Sequence, residues 1–145
     1  MDVSGIDVGL MLNNLALIAV AFALALPVGW EREQSDRSAG LRTFPLVAMA
    51  SCGYILIASR VLAGHPEGTA RVIEGLMTGI GFIGGGAILK SEGVVRGTAT
   101  AASVWNTGAI GAAVAFGRFE IAIVLTIINF AALRWLRPFK TDRPS

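Results

Sequence analysis

The stretch from Val8 to Trp30 reads VGLMLNNLALIAVAFALALPVGW and holds no Asp, Glu, Lys or Arg. A helix crosses the hydrocarbon core of a bilayer in roughly 17–25 apolar residues, so this run predicts a transmembrane helix. Working outward, Thr43 to Ser59 and Gly97 to Gly117 are equally free of charge. Val72 to Leu89 carries only Glu74, and Phe119 to Leu136 carries Glu120 and Arg134 near its ends, where long side chains reach the headgroups. The 145 residues thus divide into five predicted spans, approximately 8–29, 43–63, 70–89, 98–117 and 119–137. Almost nothing remains for a soluble domain. Composition agrees, since 15% of the residues are charged where soluble domains carry about 25%. The expected architecture is a single all-α bundle in the membrane.

Ala23-Leu24-Ala25 has the small-x-small form of a signal-peptide cleavage site. The preceding residues, however, carry Asp2 and Asp7 and no Lys or Arg, the wrong charge for a secretory leader. The first span is therefore expected to be retained. Basic residues then orient the bundle. One set of alternate segments collects Arg32, Arg37, Arg42, Lys90, Arg96, Arg134, Arg137, Lys140 and Arg143; the other has only Arg60, Arg71 and Arg118. Cytoplasmic loops hold the excess of Lys and Arg, so the amino terminus is predicted outside and the carboxyl terminus inside. The net charge of +2 reflects this asymmetry and needs no nucleic-acid partner.

Catalysis finds little support. The sequence shows no nucleophile–base pair, carboxylate dyad or metal-ligand cluster, and no cofactor or metal is expected. Cys52 is a lone cysteine within the second span and reads as a small packing residue. His65 stands near Glu67 in a short outer loop, and two groups make a poor metal site.

The third span is rich in glycine: Gly75, Gly79, Gly81, Gly84, Gly85 and Gly86 fall within twelve positions. Gly79, Gly81 and Gly84 form a literal G-x-G-x-x-G, but a dinucleotide fingerprint requires a preceding strand within a βαβ unit. Here the motif lies inside an apolar span. Glycine in a membrane helix instead lets backbones approach closely, and Gly75-x-x-x-Gly79 and Gly81-x-x-x-Gly85 both have the appropriate spacing. The third span is thus expected to be the packing centre. A second reading of the same glycines is a broken helix at a ligand site near the midplane. In the fourth span Thr100, Ser103, Thr107 and Gly111 share one face with Asn106 beside it, while Trp105 and Phe116 point the other way. A hairpin through Lys90 to Gly97 would lay this face on the glycines. Glu74, with Thr78 one turn later and Asn106 of the fourth span, is a candidate polar or ion site, because a carboxylate in a span is expensive to bury. Arg71 is three residues earlier on the same face, so an interfacial ion pair is the competing reading.

Three blocks together resemble the membrane domain of the MgtC/SapB family. They are Gly29-Trp30-Glu31-Arg32-Glu33 with Ser38-Ala39-Gly40-Leu41-Arg42-Thr43, then Thr78 to Leu89, then Val95-Arg96-Gly97 with Thr100 to Trp105. The likeness runs from about Leu15 to Phe130 with the blocks in order. It implies a multi-pass protein of the bacterial inner membrane, linked to magnesium limitation and, in pathogens, to survival in macrophages. It also implies a regulator acting on other membrane proteins, such as the ATP synthase or a transporter. The family likeness further implies the short form, without the soluble carboxyl-terminal domain of larger members. Glu74 stands where glutamine is expected in close relatives.

The first block has two physical readings: a solvated loop with interfacial Trp30, or a polar network of Glu31, Arg32, Arg42 and Arg96 closing the cytoplasmic end. Two functional classes follow. One is a regulatory protein whose helix surfaces bind other membrane proteins. The alternative is a small channel or transporter for Mg2+ or protons, built as a homo-oligomer because five short helices leave little room for a private pathway.

Overall fold

A computed structural model describes residues 7–34, 39–91 and 94–136. Arg37, Arg137, Lys140 and Arg143, four of the nine basic residues assigned to the inner side, lie outside the described residues. The described residues form five helices: α1 (Val8–Glu33), α2 (Thr43–Val61), α3 (Pro66–Gly86), α4 (Thr98–Ala115) and α5 (Phe119–Trp135). Helices α1 and α2 are long and apolar enough to cross a membrane by length and composition.

The helix ends have local causes. The carboxylate of Asp7 accepts the Leu10 N–H at 3.0 Å and caps α1. Pro66 stands in the first turn of α3, where its missing N–H costs nothing, so α3 begins four residues before the predicted span. After α4, Gly117 takes φ 70°, while the Gly117 and Arg118 N–H groups bond back to Val114 and Ala113. This closes α4 in a tight turn and returns α5 alongside it. Between α3 and α4, the expected loop is a short antiparallel hairpin, β1 (Leu89–Ser91) and β2 (Val94–Arg96), with Leu89 opposite Arg96 and Ser91 opposite Val94. The fold is therefore helical apart from this hairpin.

Helix α4 is the packing centre and touches all four other helices. Around it α3, α2, α1 and α5 follow one another, each in contact with the next. This corrects the expectation that the glycine-rich third span sits at the centre: α3 buries only Ile80 and Gly84. Glycine permits close approach but brings no apolar surface of its own, so a glycine-rich helix gains less from burial. On α4, by contrast, Thr100, Ser103, Thr107, Gly108 and Gly111 are all buried, and their small size lets several helices close in at once. α1 docks by one stripe near its end, Ala21, Ala25, Val28, Gly29 and Arg32, while Val8, Leu12 and Leu15 remain exposed.

Candidate functional site

Polar side chains converge where α1 and α5 end and α4 begins. Arg32 lies in the last turn of α1 and is only 8% exposed. Its Nη2 donates to Thr100 Oγ1 at 2.6 Å, joining α1 to the first turn of α4. Glu31, 3% exposed, takes an ion pair from Arg134 Nη1 of α5 at 3.5 Å. A carboxylate removed from water needs such a partner. Deeper in the bundle, Ser103 Oγ donates to Asn129 Oδ1 at 2.9 Å, tying α4 to α5. The segment after α1 folds back over it: Glu33 Oε2 accepts the Leu41 N–H at 3.0 Å, and a Cβ at Gly29 would lie 3.2 Å from Leu41 Cα.

Of these groups, Arg32, Thr100, Ser103 and Asn129 border a cavity of about 510 Å3, lined also by Arg96 and the start of α4. Its size is that of a small-molecule site. Gly97 leads into α4 without a side-chain cap, so the first N–H groups of the helix add their positive dipole to the two guanidinium groups. Among the described residues the lining includes no carboxylate. With Arg32 and Arg96 on its wall, the site offers guanidinium and helix N–H donors to an anionic or carbonyl-bearing group.

Of the predicted inner network, Glu31, Arg32 and Arg96 belong to this end. Arg42 is exposed at the start of α2, where an arginine gains more from water than from burial. The sequence reading missed Arg134 and Asn129. Asn129 carried a signal, since a lone amide in the apolar run of α5 must find a partner. Arg134 did not, because a basic residue in the last turn of a span also reads as snorkelling.

The predicted packing face of α4 is buried as expected, but it faces other neighbours. Thr100 meets α1 and Ser103 meets α5, while a Cβ at Gly111 would run into the Ala48 carbonyl of α2. Contact between α3 and α4 rests on Gly84, where a Cβ would lie 3.1 Å from Ala101 O, and on Gly108 beneath Ile80. At Gly75, Gly79, Gly81, Gly85 and Gly86 a Cβ would meet no neighbouring atom within 4 Å. The expectation that Gly81 and Gly85 press on α4 is corrected: they point away from the bundle.

Glu74, Thr78 and Asn106 are not brought together. Glu74 and Thr78 are exposed on α3, and the Thr78 hydroxyl donates to the Glu74 carbonyl within the helix at 2.9 Å. Asn106 turns to α5 and donates to Leu125 O at 3.4 Å. Arg71 and Glu74 form no ion pair among the described residues. Cys52 is buried in α2, and His65 precedes α3.

The model of the MgtC family matches residues 18–141. An uncharacterized protein of Synechocystis sp. is 36% identical over 129 residues, 89% of this chain and 54% of that protein. Protein MgtC of Brucella abortus is 36% identical over 126 residues, 87% of this chain and 52% of its own length. Protein MgtC of Salmonella typhimurium is 35% identical over 128 residues, 88% and 54% respectively. The chain therefore spans about half the length of these relatives. No solved structure matches it.

Proposed function

The chain belongs to the MgtC family, and from that premise we propose that it is an inner-membrane regulatory protein, active in adaptation to magnesium limitation through contacts with other membrane proteins. The observation that carries this reading is the placement of buried charge. Among the described residues the buried charged groups are Glu31 and Arg32, both at one end. Along the rest of the bundle the buried hydroxyls are held locally: Ser51 donates to Val47 O, Thr107 to Ser103 O and Thr126 to Ala122 O. A chain built to carry a cation needs acceptors free along a path, and its entrance should not be lined by guanidinium groups. Full-length protein in liposomes is expected to give no Mg2+ or proton flux above empty vesicles. Flux that disappears in Glu74→Gln would replace the regulatory reading with the oligomeric channel.

The same proposal places five spans in the membrane with the amino terminus outside. Supporting the five spans, the end of α1, the start of α4 and the end of α5 meet through Arg32, Thr100, Glu31 and Arg134, as an up-and-down bundle requires in either orientation. The basic residues gathered there match the side that retains positive charge. A reporter that works only in the periplasm should be active when fused at His65 and silent when fused after Lys140. Activity at both sites would eliminate the five-span arrangement.

A further inference from the structure

We propose that the outward face of α3 is an interface between two copies of this chain, which pair their α3 helices in parallel about a two-fold axis. The inference takes only the common orientation of the copies from the membrane reading above.

The face is defined by what lies opposite it. Ile80 and Gly84 point into the bundle. At about 100° per residue, the opposite side of α3 carries Arg71, Glu74, Thr78 and Phe82, flanked by the open Gly81, Gly85 and Gly86, while Gly75 and Gly79 border the cleft against α2. Compare α5, whose exposed side presents Ile121, Ile123, Val124, Ile127 and Ile128. That is a surface made for acyl chains. A glycine surface offers lipid little contact area, but it lets a second backbone come close enough for dense packing. Phe82, 85% exposed, is the most exposed large apolar side chain among the described residues. It projects between Thr78 and Gly79 one turn before and Gly85 and Gly86 one turn after. A knob between two hollows on one helix can fit the same surface on another.

Charge selects a second copy as the occupant. Arg71 and Glu74 are exposed, have opposite signs and are not paired with each other. They are separated by about 4.5 Å along the helix axis. Two copies inserted with one topology share a two-fold axis along the membrane normal, so their α3 helices run parallel at equal depth. An isologous contact then sets Arg71 of each copy against Glu74 of the other, and both pairs form at once. A different partner would have to supply both signs in the same order.

The test uses full-length protein in native membranes, with Cys52→Ala as background. Thr78→Cys should cross-link to a dimer on mild oxidation, and Ile123→Cys on the lipid face of α5 should not. Gly85→Leu added to Thr78→Cys should lower cross-linking about tenfold while leaving the amount of membrane-inserted protein unchanged, because the monomer has room for that side chain. Arg71→Glu and Glu74→Arg should each weaken the dimer, and the two together should restore it. Inserted protein that does not cross-link through Thr78→Cys, or a double exchange that fails to recover, would overturn the interface. Protein recovered outside the membrane would instead overturn the membrane reading.

Discussion

Gly111→Val is expected to destabilise the folded chain by about 3 kcal/mol or more, the upper end of what overpacking costs, and to remove most of the protein from the monodisperse peak after detergent extraction. A Cβ at this position would collide with the carbonyl oxygen of Ala48 and lie 2.9 Å from both the Ala48 carbonyl carbon and Ser51 Cβ. The obstacle is helix backbone, which cannot rotate aside as a side chain does. Helices α2 and α4 would have to separate, taking with them buried Ala48, Cys52, Ile55 and Ile110. Gly85→Val is the matched control: the side chain enters open space in the monomer and should leave the melting temperature of the dissociated chain within about 0.5 kcal/mol equivalent of wild type. Equal stability of Gly111→Val and wild type would show that α2 and α4 do not meet here.

Arg32→Ala is expected to cost about 2–3 kcal/mol. A hydrogen bond to a charged group contributes roughly 1.5–3 kcal/mol, and the aliphatic stem of the arginine adds packing. The guanidinium is buried and its 2.6 Å bond to Thr100 spans 68 residues of sequence, so its loss loosens α1 from α4. Lysine should not rescue, because its compact ammonium cannot reproduce the planar fork. In a double-mutant cycle with Thr100→Val, coupling should exceed the about 0.3–0.5 kcal/mol within which independent sites add. Strict additivity would remove this contact from the account. The same variants report on function: if the arginine-lined cavity is the working site, Arg32→Lys should fail to complement under magnesium limitation even where it folds.

The sequence alone determined where the helices lie. Uncharged runs bounded by charged or glycine-rich turns are a property of the chain in one dimension, and α2, α4 and α5 begin at Thr43, Thr98 and Phe119 as those boundaries predict. It also offered, as one of two readings, a polar network of Glu31, Arg32, Arg42 and Arg96 at one end, and it marked the small face of α4 as buried. Only the tertiary structure decided which neighbours these faces meet. Helical periodicity assigns a residue to a side of its own helix, but every buried side looks alike until the other helices are in place. The six clustered glycines of α3 therefore suggested a centre, whereas Gly84 presses on α4, Gly75 and Gly79 line a cleft against α2, and Gly81, Gly85 and Gly86 meet no neighbour within 4 Å. Gly111 found its partner on α2, Asn106 on α5, and Glu31 on Arg134, more than 100 residues away. Such pairings depend on how five helices fill space together, with close approach granted only where backbones cross, and that is settled by three-dimensional packing, which local sequence does not encode.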